Sequence, residues 1–356
     1  MEMDFLKDLK VIDTSSVLAG PSVGMFLAEL GAEVIKIEHP IHGDVTRTWK
    51  LPSENKDSNV SNYFSSVNYG KKYLKVDLLT GEGQNTFIEM VRSADILISN
   101  FKNGDAEKFG IEDEKLMELN PRLIHGKISG FGDDSDRVAY DLILQAESGF
   151  MHINGQKDGP PTKMPVAFID VLTAHHLKEA LFLALYQREK TGNGATVSAS
   201  LYDAAISSLA NQASNYLMSN EIPQRIGSLH PNIAPYGEIF ETKDKAQIVF
   251  AIGSNKHFGI LCEFLELSNI SVDHKFSTNK ARVENRIELK DHIQKKVGWI
   301  ASADILSFME VKKVPCGKVK NLKEVFADKS AKDLILNEEI ENQNTKRIRS
   351  AIFKWK

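Results

Sequence analysis

A single aspartate at the expected start of a long helix is the clearest candidate for chemistry in this chain. Asp170 follows the mostly apolar stretch 164–169, and apolar residues at helical spacing continue from Leu172 to Leu185, before Gly192 offers a left-handed cap. This pattern predicts a strand or loop, an N-cap at Asp170 and an amphipathic helix. Backbone N–H groups and the helix dipole favour an ionised carboxylate at that position. Asp170 is therefore predicted to be either a nucleophile toward an activated acyl group or only the cap of its helix.

The two cysteines, Cys262 and Cys316, are the other candidate nucleophiles. They form no Cys-x-x-Cys pair and are too few for a disulfide framework, which is typical of a reducing compartment. No histidine lies near Cys316 in the sequence, so a small buried residue in the turn 314–317 is favoured over a catalytic thiol.

Length and composition are those of an ordinary two-domain protein. The chain has 356 residues and a net charge of −4, with 26% charged and 42% hydrophobic residues; this balance predicts no nucleic-acid or membrane partner. The amino terminus lacks the basic-then-apolar order of a signal peptide, and the apolar run 180–186 is too short to span a bilayer. We predict a cytoplasmic protein without a metal site.

Strand and helix patterns alternate through the first part of the chain. Apolar runs predict strands at 10–14, 33–37, 95–99 and 123–128, and helices at 21–30, 82–91 and 201–218, the first of them with Pro21 at its first position. Gly31 marks the end of that first helix. This alternation predicts an α/β fold with a mostly parallel sheet covered on both faces.

From about residue 222 the pattern changes to that of a smaller α+β domain. Two strand-like runs, 237–242 and 247–252, flank a short polar turn and predict a β-hairpin. The resulting domain hypothesis has a large domain at 1–190 and 335–356, linkers at 191–221 and 320–334, and a small domain at 222–319. For the end of the chain we expect a solvated helix and connector within 328–349 and a last strand at 350–355.

A series of segments, spread in order over most of the chain, resembles one family. These segments are 11–21, 30–38 with Gly43-Asp44, Asn100-Phe101, 119–124, 130–132, 139–141 with Gln145-Ala146, Asp170, 190–194, 230–236 and 314–317. They are similar to the family III CoA-transferases, which include formyl-CoA transferase and the carnitine and bile-acid CoA-transferases and are related to alpha-methylacyl-CoA racemase. The resemblance implies a Rossmann-like large domain, an intertwined ring-shaped homodimer, and coenzyme A as substrate in the form of acyl-CoA. It also implies that Asp170 attacks the thioester and carries first an acyl anhydride and then a CoA thioester.

The same resemblance implies a set of coenzyme A contacts. The positions that match are Leu18, Ala19, His39, Val76, Asp77, Leu78, Leu79, Asn100, Phe101, Lys102, Lys108, Arg137 and Tyr140. Leu18 replaces a glutamine of formyl-CoA transferase, which argues against a formyl or oxalyl substrate, and His39 and Lys108 stand at arginine positions. Asp141 matches an acidic position near the nucleophile, where a second carboxylate can separate the two pKa values.

Three alternatives stay open at this stage. An acyl-CoA racemase on the same fold would use Asp170 as a base, but its relatives carry histidine where this chain has Tyr140, and a phenol is a poor base at neutral pH. A dinucleotide site would place Glu38 on a ribose hydroxyl, although the Gly-x-Gly-x-x-Gly turn is missing. A non-catalytic CoA-binding or scaffold protein would bind coenzyme A without exchanging acids.

Overall fold

A computed structural model describes residues 4–102 and 104–355 of the chain. These residues divide into two compact units. The first contains the described residues of Met1–Met151, Lys163–Ile222 and Asp333–Lys356, and the second contains His152–Thr162 and Pro223–Lys332. The segment 152–162 therefore belongs to the second unit, whereas the domain hypothesis placed it in the large domain.

The first unit is built on a six-stranded parallel sheet. Its strands are β1 (Lys10–Asp13), β2 (Glu33–Glu38), β3 (Lys71–Lys75), β4 (Ile96–Ser99), β5 (Ile124–Ser129) and β6 (Ala195–Ser200). Their order is β3-β2-β1-β4-β5-β6, and all neighbours are parallel. This is the strand order of the doubly wound sheet that binds dinucleotides. The predicted α/β class and the four predicted strands are confirmed.

Helices cover both faces of this sheet. Those up to residue 219 are α1 (Ala19–Glu29), α2 (Asn62–Ser66), α3 (Gly81–Val91), α4 (Asp105–Phe109), α5 (Asp113–Leu119), α6 (Asp141–Glu147), α7 (Phe150–Ile153), α8 (Phe168–Thr191), α9 (Leu201–Ser207) and α10 (Ala210–Ser219), with a 3₁₀ turn at Val45–Thr48. One apolar core packs α1 and α8 on β1, β4 and β5, and a second packs α3 and α5 on the opposite face. Parallel strands need this double cover because both of their faces are apolar.

Three expectations for these elements are wrong. Helix α1 begins two residues before Pro21, because the chain already turns into helix at Ala19. The stretch assigned as a linker at 191–221 contains β6, the edge strand of the sheet. The predicted helix 201–218 is two helices, since Ala210 has φ +46° and interrupts the helical path.

The second unit is a small α+β structure. Antiparallel strands β7 (Tyr236–Glu241), β8 (Gln247–Ala251) and β9 (Cys316–Lys318) form its sheet in that order, which confirms the predicted hairpin. Its helices are α11 (Asn255–Phe264), α12 (Ser268–Val272), α13 (Asn279–Glu284), α14 (Arg286–Val297), α15 (Ser302–Val311), α16 (Leu322–Val325) and α17 (Lys329–Lys332). Helices α11, α12, α14 and α15 contribute to one apolar core that also includes Phe240 and Phe250 of the sheet.

The end of the chain differs from its expected form. Residues 335–348 form an antiparallel hairpin, β10 (Ile335–Ile340) and β11 (Gln343–Ile348), in place of a solvated helix. Glu341 and Asn342 both have positive φ, as a tight two-residue hairpin turn requires. Residues 350–355 form no strand; instead, the Glu29 carboxylate on α1 accepts the N–H groups of Ser350 and Ala351.

Candidate active site

The carboxyl ends of β1 and β4 meet at the point where the strand order reverses, which is where doubly wound sheets bind ligands. The side chain of Asn100 fastens the two loops that leave these strands. Its Oδ1 accepts the N–H of Ser16 at 3.0 Å, and its Nδ2 donates to the carbonyl oxygen of Ser16 at 2.9 Å. This reciprocal pair fixes the loop after β1 against the end of β4.

Val17 carries the backbone strain of this loop. Its φ of +73° places a β-branched residue in the left-handed region, a conformation that costs of order 1–3 kcal/mol. Leu18 and Ala19 follow at the start of α1, and all three line one cavity. The Asn100 contacts to the preceding residue hold this conformation in place.

A buried ionic network lies beneath the same loop. The Lys71 ammonium donates to Asp13 at 2.7 Å and to the carbonyl of Pro21 at 2.8 Å, while Lys36 donates to the carbonyl of Ser15 at 2.6 Å. Burial opposes ionisation of Asp13, but attraction to Lys71 and Lys36 outweighs it and lowers the pKa of this carboxyl. The network ties the loop 15–21 to β2 and β3.

Asp170 is not the N-cap of its helix. Helix α8 begins at Phe168 with Ala167 in the cap position, so Asp170 is the third helical residue. The capping contact comes from Asp141, whose Oδ1 accepts the N–H of Ile169 at 2.8 Å. The predicted N-cap at Asp170 is therefore wrong, because the free N–H group at the start of α8 is bound by a carboxylate from another helix.

Gln145 holds Asp141 and the loop before α8 together. Its Nε2 donates to Asp141 Oδ2 at 2.7 Å, and its Oε1 accepts the N–H of Met164 at 2.7 Å. Gln145 is 1% exposed, so these contacts are shielded from water and are strong for their type. They set the direction in which the chain enters α8, and with it the position of Asp170.

The carboxylate of Asp170 is buried and accepts no hydrogen bond from the residues that the structure describes. Burial, followed by repulsion from Asp141, raises its pKa to about 7. The expectation that the helix N-terminus favours the ionised form is therefore wrong, since desolvation outweighs the dipole here. Near neutral pH, Asp170 is a poorly solvated carboxylate that is ionised in about half of the molecules.

Asp170 lines a cavity of about 400 Å³ at the carboxyl edge of the sheet. Seven of the predicted coenzyme A contacts lie on the same cavity: Leu18, Ala19, Asn100, Phe101, Lys102, Arg137 and Tyr140. Arg137 is engaged there, because its guanidinium makes two 2.7 Å bonds to Glu147 and lies 3.8 Å from the centre of the Phe131 ring. Lys102 is exposed at this edge.

The remaining predicted contacts lie away from this cavity. His39 follows β2 and Val76–Leu79 follows β3, and the two segments approach each other where His39 Nε2 lies 3.9 Å from Asp77 Oδ2. Val76 and Leu78 are buried, whereas Leu79 is exposed. Lys108 lies on α4, where its ammonium pairs with Asp105 at 2.7 Å.

The cavity wall also carries polar residues that the sequence did not indicate, among them Ser99, Asp113, His125 and Lys127. They come from β4, α5 and β5, so only the strand pairing brings them together. The available signal was a histidine within a predicted strand that starts with apolar residues, because a buried histidine requires hydrogen-bonding partners.

Comparison with known proteins decides the family. The chain matches CoA-transferase family III over residues 6–356. It belongs to this family. It is 39% identical over 329 residues to the succinate–glutarate CoA-transferase of Agrobacterium fabrum, covering 91% of this chain and 82% of that one. It is 37% identical over 334 residues to the succinyl-CoA:mesaconate CoA-transferase of Haloarcula hispanica, covering 92% and 83%.

A solved structure supports the same assignment. The crystal structure of a CAIB/BAIF family protein from Brucella suis matches with a TM-score of 0.84 and 36% identity, covering 97% of this chain and 91% of that one. The mixed α/β fold with its six-stranded parallel sheet is thus similar to the fold of this CAIB/BAIF family protein. The relatives named here are CoA-transferases, so the racemase alternative is not favoured.

The geometry also argues against the other alternative sites. Both carboxylate oxygens of Glu38 accept hydrogen bonds from Arg47, at 2.9 and 3.0 Å, and the residue is 5% exposed, so it is not free to bind a ribose. Cys316 lies on β9 in the second unit, and burial raises the pKa of its thiol to about 11, which makes it a poor nucleophile.

Within residues 4–102 and 104–355, no helix is both long and apolar enough to cross a bilayer. The same residues contain no group of three or more histidine, cysteine or acidic side chains placed to bind a metal ion.

Proposed function

We propose that this family III enzyme transfers coenzyme A from an acyl-CoA to a carboxylic acid, with Asp170 as the nucleophile. The observation that carries the proposal is the buried Asp170 carboxylate on the cavity wall, which accepts no hydrogen bond from the described residues. A carboxylate without donors keeps its full electron density for attack, and its raised pKa makes the ionised form more nucleophilic than an ordinary aspartate.

The proposed reaction proceeds through anhydride and thioester species on Asp170. The carboxylate attacks the thioester carbonyl and the C–S bond breaks, which leaves a mixed anhydride on Asp170 and a free coenzyme A thiolate. The thiolate then attacks the aspartyl carbonyl, which releases the donor acid and leaves an aspartyl-CoA thioester. The acceptor carboxylate attacks this thioester and expels the thiolate, which gives a second anhydride. The thiolate attacks the acceptor carbonyl of this anhydride, which yields the acceptor acyl-CoA and frees the Asp170 carboxylate. No net proton transfer is needed, so an isolated carboxylate suffices.

The neighbouring groups have separate roles in this proposal. Asp141 orients the start of α8 and raises the basicity of Asp170 by repulsion. Asn100 fixes the strained loop at Val17, which we assign to the path of the thioester. We assign the adenine and phosphate groups to His39 and the segment 76–79, which follow β2 and β3 at the same carboxyl edge of the sheet.

We propose succinyl-CoA as donor and a dicarboxylic acid as acceptor, because the two relatives are named for succinate with glutarate and for succinyl-CoA with mesaconate. The intertwined homodimer and the cytoplasmic location, both implied in the sequence analysis, belong to the same proposal. Light scattering after gel filtration would report the mass of the assembly, and a single 39.7 kDa species would contradict the dimer.

The test is chemical trapping. Incubation with succinyl-CoA and then hydroxylamine should convert Asp170 into a hydroxamate, detected by peptide mass spectrometry. Asp170→Asn should abolish this product and lower transfer by at least about a hundredfold. The matched control is Glu179→Gln, which removes an exposed carboxylate from the same helix and should leave trapping and transfer unchanged. An active enzyme with unmodified Asp170 would contradict the mechanism.

A further inference from the structure

Three polar residues on the cavity wall form a hydrogen-bonded chain that the transfer reaction does not use. Ser99 Oγ lies 2.8 Å from His125 Nε2, and His125 Nδ1 lies 2.6 Å from Asp113 Oδ1. Lys127 donates to the second oxygen of Asp113 at 3.0 Å. A hydroxyl on Nε2 and a carboxylate on Nδ1 of one imidazole is the geometry that activates a serine nucleophile.

The charges fix the direction of the hydrogen bonds. The bond from His125, followed by the contact with Lys127, lowers the pKa of Asp113 to about 2 against the opposing effect of its partial burial. Asp113 is therefore ionised at neutral pH, and His125 donates its Nδ1–H to it. In the neutral imidazole the lone pair of Nε2 then accepts the hydroxyl hydrogen of Ser99.

The sheet register places this chain on the face opposite to Asp170. Leu97 pairs with His125 and Ser99 pairs with Lys127, so these side chains share the face on which Leu97 packs under α3 and α5. Asp170 belongs to α8, which packs on the other face. Both groups line the same cavity because it lies at the edge where the two faces end.

Ser99 and His125 are each 3% exposed and line the cavity wall. The backbone N–H of Asn100, the residue that follows Ser99, donates to no acceptor among the described residues. The N–H group after a nucleophilic serine is a common donor to the oxyanion of acyl transfer. Base, orienting carboxylate and an unengaged N–H are thus all adjacent to one hydroxyl.

We propose that Ser99 is a second nucleophile, which gives this cavity an acyl-ester or acyl-thioester hydrolase activity in addition to transfer. The Ser99 hydroxyl attacks the acyl carbonyl while His125 Nε2 takes its proton, and the bond to the thiolate or alkoxide breaks as His125 returns that proton to the leaving group. Water then attacks the Ser99 ester, again with His125 as base, and releases the acid and the free hydroxyl. The net reaction consumes one water and needs no other reactant. Asp113 is a positioning residue, because it acts through His125.

A probe that is independent of coenzyme A tests the nucleophile directly. Diisopropyl fluorophosphate, added to the full chain, should phosphorylate Ser99, as peptide mass spectrometry would show. Ser135 is the internal comparison, because it lines the same cavity and its hydroxyl oxygen only accepts the N–H of Arg137, with no described base as partner. Unmodified Ser99, or equal labelling of Ser99 and Ser135, would overturn the proposal. This result does not depend on Asp170, so it can fail while the transfer mechanism stands.

Hydrolysis provides the second measurement. In the Asp170→Asn background, release of thiol from succinyl-CoA without an acceptor acid should persist, and adding Ser99→Ala should lower it by at least about a hundredfold. If the Ser99 variant fails to fold, Asp113→Asn and Asp113→Glu replace it. Asn should lower the rate and Glu should restore part of it, whereas a structural role for Asp113 would change unfolding and not this rate. Equal hydrolysis with and without Ser99 would overturn the proposal.

Discussion

Replacing Asp170 with asparagine should stabilise the protein at alkaline pH. Burial and Asp141 raise the pKa of Asp170 from its ordinary value of 3.8 to about 7. This rise of about three units corresponds to about 4 kcal/mol of unfavourable ionisation in the folded state, at about 1.4 kcal/mol per unit. Asparagine has nearly the same volume and no charge to desolvate, and Asp141 already caps the helix, so no cap is lost.

The sign of the effect follows from proton binding. Between about pH 4 and pH 7 the folded state binds the Asp170 proton more tightly than the unfolded state, so the stability of the wild type falls as pH rises through this window. Below pH 3.8 both states are protonated, and the two proteins should have equal stability. The advantage of Asp170→Asn should be about 2 kcal/mol near pH 5 and about 4 kcal/mol near pH 8.

Urea unfolding of both proteins, followed by circular dichroism near pH 5 and pH 8, measures this difference. Glu179→Gln, which removes an exposed carboxylate from the same helix, controls for the loss of one charge and should show no such trend. A helix-cap role would instead make the asparagine variant less stable, by up to about 1 kcal/mol. A difference that is independent of pH, or a less stable variant at pH 8, would refute the assignment of a raised pKa.

Three further outcomes are expected. The transfer rate should rise with pH to a plateau above about 7, and Asp141→Asn should move this rise to lower pH, because it removes the second cause of the raised pKa; an unchanged profile would contradict the coupling. Asn100→Ala should raise the activation free energy of transfer by more than it lowers the free energy of unfolding, because it removes the contacts that hold a strained loop. Transfer kinetics and urea titrations of the same preparation measure the two changes, and a larger loss of stability than of activity would contradict this. Lys71→Met should destabilise the fold by about 3–5 kcal/mol, because it leaves Asp13 buried without its ammonium partner; a loss below 1 kcal/mol would contradict this.

Periodicity predicted the parallel sheet because its strands are short runs of buried aliphatic residues. Val11 and Ile12, for example, are 1% and 3% exposed, and every residue of β4 is buried. Because helices alternate with these strands, the strands are expected to lie parallel in one sheet. The hairpin of β7 and β8 was predicted for a similar reason, since alternating residues flank a short polar turn.

The carboxyl-terminal hairpin escaped prediction because its exposed face carries charges. Charged residues occupy both exposed and buried positions of β10 and β11, with Glu339 and Lys346 exposed and Arg347 buried, and a segment rich in charges is ordinarily a solvated helix. What holds it is non-local: the Arg347 side chain pairs with Glu29 on α1, more than three hundred residues away in sequence. Local patterns carry no information about such a partner.

Non-local contacts also decide the roles of the two carboxylates at the candidate site. The local sequence pattern left Asp170 as either a nucleophile or the cap of its helix, because that choice depends on which carboxylate accepts the hydrogen bonds. Only the family resemblance implied the nucleophile. Both carboxylate oxygens of Asp141 accept hydrogen bonds, one from the N–H of Ile169 and the other from Gln145, so this carboxylate holds the start of the helix. Asp170 accepts none from the described residues and borders the cavity. In the proposed mechanism Asp170, which has no such partner among these residues, is therefore the carboxylate that attacks the thioester, and repulsion from Asp141 helps to raise its pKa.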